Sequence, residues 1–134
     1  MSLFVDTSVW SLLLRRDQPA EVPQVRALAR ALESGERVVT TGLVLQELLQ
    51  GFSGAKAHDQ IVDRFAAFPL LVPHREDHIE AAVLRNSCRK KGVQIGTIDA
   101  LLARLCIQNK LTMLTTDGDF TQVARLTALK LWGS

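Results

Sequence analysis

The sequence predicts an α/β fold in which a mainly parallel sheet of five strands lies between two layers of helices. Two observations predict this class. Five short apolar runs alternate along the 134 residues with stretches in which apolar side chains recur every three or four positions. Such alternation is typical of right-handed strand–helix–strand crossovers, which produce a parallel sheet covered on both faces.

The five predicted strands are short and rich in Leu and Val. In chain order they cover residues 3–5, 38–40, 70–72, 111–114 and 129–131. Pro69 immediately precedes the third run, which marks an element boundary at that point.

Helical periodicity fills the intervals between the strands. The run SVWSLLL after Asp6 is helix-like, and five further stretches have an apolar stripe: residues 25–32, 45–52, 61–68, 79–83 and 98–105. Gly35 follows the first long stripe and Gly92 follows the basic end of the fourth, and glycine commonly ends helices in this way.

Composition indicates a folded chain that we interpret as one domain, residues 1–134. It is 47% hydrophobic and 22% charged, with a mean hydropathy of +0.11, which argues against disorder. The longest nearly apolar stretch, residues 65–72, is too short to span a bilayer. The start of the chain does not resemble a secretory signal, and Cys88 and Cys106 form no CxxC motif. We therefore expect reduced thiols and a cytoplasmic location. The net charge of +2 alone does not indicate a nucleic-acid binder.

Acidic residues follow two of the predicted strands. Asp6 comes directly after the first strand, and Asp117 and Asp119 come after the fourth. Because ligands of open parallel sheets bind beyond the carboxyl ends of the strands, these acids are candidates for a site at that edge. The alternatives are helix N-capping for Asp6 and turn formation around Gly118 for the other two.

Two further acids lie on predicted helices that could face the same edge. Glu47, in TTGLVLQELLQG, has apolar neighbours, although a partly exposed position is the commoner one for glutamate. Asp99, in GTIDALLARLC, falls in the first turn of a helix for which Thr97 is the candidate cap. There the helix dipole favours an acid without any catalytic role.

A cluster of these carboxylates requires protonation or a cation. Two carboxylates roughly 4 Å apart repel by about 4 kcal/mol at an effective dielectric constant near 20. Oxygen ligands without a paired His or Cys indicate a hard ion such as Mg²⁺ or Mn²⁺. Such an ion activates water and offsets charge on a phosphate, so the cluster suggests hydrolysis of a phosphodiester.

Four segments that carry these acids resemble one known family. FVDTSVW, TTGLVLQELLQG, IGTIDALLA and MLTTDGDF are similar, in the same order, to motifs of PIN-domain ribonucleases, and specifically of the VapC toxins of toxin–antitoxin modules. The resemblance covers essentially the whole chain. It implies a three-layer α/β/α fold, RNA cleavage that depends on Mg²⁺ or Mn²⁺, a homodimer, and inhibition by a VapB-type antitoxin.

The resemblance also implies roles for individual residues. The four catalytic acids of the family match Asp6, Glu47, Asp99 and Asp117. Asp119 matches a less constant extra acid, and the expected metal-binding residues are Asp6, Asp99, Asp117 and Asp119. Hydroxyl residues that support the acids or the water on the metal match Thr7, Ser8 and Thr115. Arg104 departs from the family, which often has a small residue there.

Several other polar and aromatic residues each have two possible interpretations. The basic helix end with Arg85, Arg89, Lys90 and Lys91 is either solvated and favoured by the helix dipole or in contact with the RNA backbone. Trp10 and Trp132 either stack on RNA bases or fill a core or a dimer interface. His74 and His78 have the spacing of a zinc pair but no evident third ligand.

The sequence leaves two alternative functions open. DGDFT also fits the DxDxT loop of haloacid-dehalogenase-like phosphatases, with Asp117 as nucleophile and Asp119 as acid or base. Only 13 residues follow Thr121, however, and the other acids would then be unexplained. The second alternative is a non-catalytic module that binds RNA or protein on the same fold.

Overall fold

The computed structural model describes residues 1–15 and 22–133, and within them five strands alternate with seven helices. The elements are β1 (Ser2–Val5), α1 (Thr7–Leu14), α2 (Pro23–Ser34), β2 (Arg37–Thr41), α3 (Gly42–Gly51), α4 (Ala55–Phe65), β3 (Leu70–Leu71), α5 (Arg75–Lys90), α6 (Thr97–Gln108), β4 (Thr112–Leu114), α7 (Gly118–Leu126) and β5 (Lys130–Leu131).

The strands form one sheet in the order β3-β2-β1-β4-β5, and every neighbouring pair is parallel. β1 is central, with Phe4 opposite Val39 on one side and Met113 on the other. The predicted fold class is therefore confirmed. The two edge strands are only two residues long, which leaves little unpaired backbone at the sheet edges.

The core lies on both faces of the sheet. The residues of β1 and β2 are almost entirely buried, as expected for the central strands of a parallel sheet. Trp10 of α1 is 0% exposed and packs against Phe65 and Phe68, with ring centroids 4.8 and 5.5 Å away. Burial is thus the role that the structure gives to Trp10.

Helix boundaries confirm the two glycine stops. Gly35 has φ 72° and its N–H donates to the carbonyl of Ala31, which ends α2. Gly92 has φ 84° and follows the last turn of α5. The apolar stripe 61–68 overruns the observed helix, because α4 ends at Phe65. Pro69 disfavours helical backbone at the residue before it.

At two helix starts the structure differs from what the sequence predicts. Gly118 begins α7, a helix that the periodicity did not predict, and Asp117 is its N-cap. Phe120 and Val123 bury the apolar side of this helix. Thr97 is the first residue of α6 and not its cap, because the N-cap position is occupied by Gly96, which has no side chain to donate or accept.

No helix in the described parts of the chain is long and apolar enough to cross a membrane. Cys88 and Cys106 are both buried as free thiols, and burial raises the pKa of Cys106 well above that of an ordinary thiol.

Candidate active site

The carboxyl ends of β1 and β4 lie side by side and carry two of the predicted acids. Asp6 directly follows β1, and its N–H donates to the carbonyl of Leu114 at 2.9 Å, which extends the pairing of β1 with β4. Asp117 is the N-cap of α7, in the loop that follows β4. Both acids therefore stand at the same edge of the sheet, as the parallel topology predicts.

Two hydroxyl groups hold the side chain of Asp6. Asp6 is 8% exposed, and its Oδ2 accepts hydrogen bonds from Ser8 Oγ and Thr115 Oγ1, each at 2.8 Å. Although Asp6 occupies the N-cap position of α1, its side chain makes no capping hydrogen bond. The carboxylate is thus fixed by side chains from α1 and from the loop after β4, and its second oxygen, Oδ1, accepts no hydrogen bond from the residues that the structure describes.

The same hydroxyl groups also fix the backbone after β4. Ser8 Oγ accepts from the N–H of Thr116 at 3.1 Å, and Thr115 Oγ1 accepts from the N–H of Asp117 at 3.0 Å. The position of Asp117 is therefore set by the polar residues that hold Asp6. Ser8 and Thr115, which the family resemblance implies as supporting residues, therefore lie where they can support the acids.

Three acids bring carboxylate oxygens close together. One oxygen each of Asp99, Asp117 and Asp119 lies within 4.8 Å of the other two. Asp99 comes from the first turn of α6, Asp117 from the N-cap of α7, and Asp119 from the first turn of α7. We call these three residues the acidic trio. Asp117 uses Oδ1 to accept from the N–H of Asp119 at 2.9 Å, and its Oδ2 accepts no hydrogen bond from the part of the chain that the structure describes.

Asp99 experiences the field of all the other predicted acids. Its pKa is raised to about 6, first by burial and then by the charges of Asp117, Asp6, Asp119 and Glu47, in decreasing order. A carboxylate that is partly buried among like charges is harder to ionise. The five acids named from the sequence therefore act electrostatically on one small region, even though Asp6 and Glu47 lie outside the trio.

Glu47 lies on α3 with its side chain exposed, while Val44 and Leu48 point into the core. Its Oε1 accepts a hydrogen bond from Thr7 Oγ1 at 3.0 Å. The apolar neighbours that Glu47 has in the sequence are thus on other faces of the helix. Thr7 connects Glu47 to the start of α1, directly beside Asp6.

The donor atoms of the acidic trio suit a hard divalent cation. All are carboxylate oxygens, the ligands that Mg²⁺ and Mn²⁺ prefer in proteins. A cation among them would offset the repulsion that raises the pKa of Asp99. The residues present therefore fit such an ion.

The basic residues at the end of α5 have separate surroundings. Arg85 Nε donates to the carbonyl of Ile95 at 2.8 Å, which holds the connection that leads into α6 and Asp99. Arg89, Lys90 and Lys91 are exposed. Their position at the last turn of α5 is favoured by the helix dipole.

Arg104, the residue that departs from the family pattern, makes a contact that the sequence did not predict. Its Nε lies 3.2 Å from Oδ1 of Asp77, an acid that is 7% exposed in the first turn of α5. Asp77 Oδ2 accepts from the N–H of His74 at 2.8 Å. This hydrogen bond and Arg104 hold the pKa of Asp77 below its usual value, against the opposing effect of burial. His74 is the N-cap of α5.

Comparison with known proteins agrees with this arrangement. The family model described as PIN domain matches residues 3–126. Ribonuclease VapC11 of Mycobacterium tuberculosis is 27% identical over 130 residues, which are 96% of each chain.

Solved structures share the fold at lower sequence identity. VapBC2 from Rickettsia felis, bound to a DNA fragment from its promoter, has a TM-score of 0.72 at 19% identity and covers 98% of this chain and 97% of that one. VapC20 of Mycobacterium tuberculosis, described as a toxin that cleaves the sarcin–ricin loop, has a TM-score of 0.68 at 20% identity, covering 90% and 93%.

Proposed function

We propose, from the premise that this chain belongs to the PIN domain family, that it is a metal-dependent endoribonuclease and the toxin of a toxin–antitoxin pair. The observation that carries the proposal is the acidic trio, whose carboxylate oxygens lie within 4.8 Å of one another beside Asp6. The full-length relative named a ribonuclease supports the choice of RNA as substrate.

The residues that would hold Mg²⁺ or Mn²⁺ are the acidic trio, with Asp6 contributing through Oδ1. When bound, such a cation would lower the pKa of water and offset the negative charge of the phosphate that is attacked.

Residues of the chain itself position the acids and accept protons. Ser8 and Thr115 act as positioning residues, because they fix one oxygen of Asp6 and the backbone that carries Asp117. Thr7 orients Glu47. Glu47 and Asp119 are the exposed acids of the group, so these two carboxylates are open to accept a proton from the attacking water.

The two alternative functions have less support. As a phosphatase nucleophile, Asp117 would have no need of Asp6 and Asp99, yet the charges of these acids act on the same small region. A module that only binds RNA or protein would keep a mutually repulsive group of acids with no gain in stability.

The proposed partners are RNA, a VapB-type antitoxin and a second copy of the chain, and the proposed location is the cytoplasm. The structures similar to this chain include VapBC assemblies, which supports the proposed antitoxin partner. Ile79 and Val83, one turn apart on α5, are exposed apolar side chains that a second copy would cover. Light scattering after size-exclusion chromatography measures the molar mass in solution, and a monomer at micromolar concentration would contradict the proposed dimer.

The test of the proposed activity is cleavage of RNA by variants of the trio. Asp99→Asn and Asp117→Asn each remove one negative ligand and preserve shape, so we expect each to reduce cleavage in Mn²⁺ by more than about 100-fold, beyond the usual cost of changing an outer-shell partner. EDTA should abolish cleavage by the unmodified protein. Circular dichroism checks that the variants are folded.

Asp63→Asn is the matched control, because Asp63 is an exposed acid on α4 that contributes to none of these contacts. Its cleavage rate should equal that of the unmodified protein. Unreduced, metal-dependent cleavage by both trio variants would contradict the assignment of the site.

A further inference from the structure

A groove lies between α7 and the edge strand β5. Its larger part has a volume of about 690 Å³ and its smaller part about 280 Å³. The two parts share four lining residues: Thr121, Leu131, Trp132 and Gly133. They therefore form one continuous depression, which we call the β5 groove.

The smaller part of the β5 groove reaches Asp117 of the acidic trio. Trp132 directly follows β5, and its backbone N–H donates to the carbonyl of Met113 in β4 at 2.9 Å. It thus stands at the carboxyl edge of the sheet, where the acids lie. The smaller part of the groove is lined by Thr115, Thr116 and Asp117, so Trp132 separates the acids from the larger part.

The far part of the groove carries positive charge. Arg125 of α7 and Lys130 of β5 line it, and both side chains are exposed. Neither has an ion-pair partner among the residues that the structure describes. The indole of Trp132 is half-buried against the core and keeps part of its surface open. The groove therefore presents an acidic end, an aromatic ring and two cations in sequence.

We propose that the β5 groove binds the single-stranded RNA on one side of the scissile bond, with a base stacked on Trp132 and phosphates against Arg125 and Lys130. The proposal rests on the proposed function, which places the scissile phosphate at the acidic trio. Acids repel the RNA backbone, so affinity must come from cations elsewhere along the strand. An aromatic ring beside exposed cations is typical of single-strand binding sites.

Tryptophan fluorescence tests the stacking. The chain has two tryptophans, and Trp10 is fully buried against Phe65 and Phe68. We therefore expect single-stranded oligoribonucleotides, added to the cleavage-deficient Asp99→Asn protein, to quench only Trp132. A second change, Trp132→Phe, should abolish the quenching while RNA binding, followed with a labelled oligonucleotide, persists. Trp132→Ala should weaken binding about tenfold.

Salt dependence tests the cations. Changing Arg125 and Lys130 together to alanine should lower the slope of log K against log salt by about 1.4 for single-stranded RNA, because two phosphate contacts are lost. The matched control changes Lys56 and Arg64 to alanine. These are an exposed lysine and an exposed arginine on α4, outside the groove, and the slope should not change.

The outcomes separate this inference from the proposed function. If the unmodified protein cleaves RNA and all groove variants bind and cleave it equally well, the groove proposal is overturned and the ribonuclease proposal stands. If RNA quenches Trp132 but no cleavage occurs in Mn²⁺, the groove proposal is supported and the activity is not. Loss of binding to a protein partner, with RNA binding unchanged, would also overturn the groove proposal. Thermal melts confirm that the variants are folded.

Discussion

At the scale of single residues, Asp6 shows that position in the chain does not determine what a carboxylate does. It occupies the N-cap position of α1, where aspartate commonly accepts a hydrogen bond from the helix backbone. Instead its Oδ2 receives two hydroxyl groups, those of Ser8 and Thr115. Asp117 shows the reverse: it does cap a helix, through one oxygen, and still belongs to the acidic trio. Capping and a ligand role are therefore compatible in one side chain.

Asp99 provides a pH-dependent signature of the trio in metal-free protein. Its pKa is about 6 in the folded state against 3.8 without the fold. Between these values the folded chain binds more protons than the unfolded chain, so the free energy of unfolding should fall as pH rises from about 4 to about 6, and remain lower above that. The acid that is ionised at neutral pH thus destabilises the metal-free fold.

We expect Asp99→Asn, which removes this repulsion, to stabilise the protein in EDTA at pH 7.5 by on the order of 1 kcal/mol, since solvent screens part of the effect. The difference from the unmodified protein should shrink as the pH approaches 4, where Asp99 is protonated in the fold. Urea denaturation at both pH values measures it. Asp63→Asn serves as the control for removing one exposed acid, and a trio variant no more stable than this control at pH 7.5 would contradict the electrostatic account.

At the scale of elements, periodicity predicted what depends on local sequence. The five strands are confirmed, and so are the five helices predicted from apolar stripes, α2 to α6, because most of these elements bury the face that the order of residues indicates. The stripe of α5 is wrong as a buried face, since Ile79 and Val83 are exposed and Ala81 and Cys88 are buried instead. α7 was missed because its nine residues begin with Gly and Asp, which also favour turns. The sequence signal for this helix is the spacing of two apolar residues, Phe120 and Val123, three positions apart, which a turn would not require.

Contacts between elements were not predictable in the same way. Asp77 of α5 and Arg104 of α6 are far apart in the sequence, and nothing local to either residue indicates the other. Their contact depends on how the two helices pack. It gives a structural reason for an arginine at a position where the resembling family often has a small residue.

We expect Arg104→Ala to lower the free energy of unfolding by about 2 kcal/mol at pH 7, because it leaves the buried carboxylate of Asp77 without its cation. The pKa of Asp77 is lowered in the fold, so its contribution is present above pH 3.8 and is lost as the pH falls further. A double-mutant cycle with Asp77→Asn should therefore show coupling at pH 7 that declines in acid.

The matched control for this cycle is Arg75→Ala, because Arg75 is an exposed arginine at the start of α5 that is not part of the Arg104–Asp77 pair. It should change stability by less than about 0.5 kcal/mol, the usual range for surface substitutions. Equal effects of the two arginine substitutions would show that the ion pair contributes nothing measurable.

At the scale of the whole molecule, the parallel sheet brings distant acids to one edge. The sequence predicted this edge, because parallel strands end side by side, and it predicted which acids follow them. It did not predict which oxygen of Asp6 the hydroxyl groups hold, or that Trp132 and Asp117 line one depression. These features depend on the loop after β4 and on the end of β5, neither of which has a local signature.

Because the acids of the trio meet only in the folded chain, metal binding should stabilise the whole protein against unfolding. At a free Mn²⁺ concentration 100 times the dissociation constant, linkage gives about 2.7 kcal/mol, which for a domain of this size raises Tm by about 10 °C. Differential scanning calorimetry in Mn²⁺ and in EDTA measures the shift. Asp117→Asn should lose most of it because it removes one ligand, whereas Asp63→Asn should keep it. An identical Tm with and without Mn²⁺ would show that the trio holds no ion.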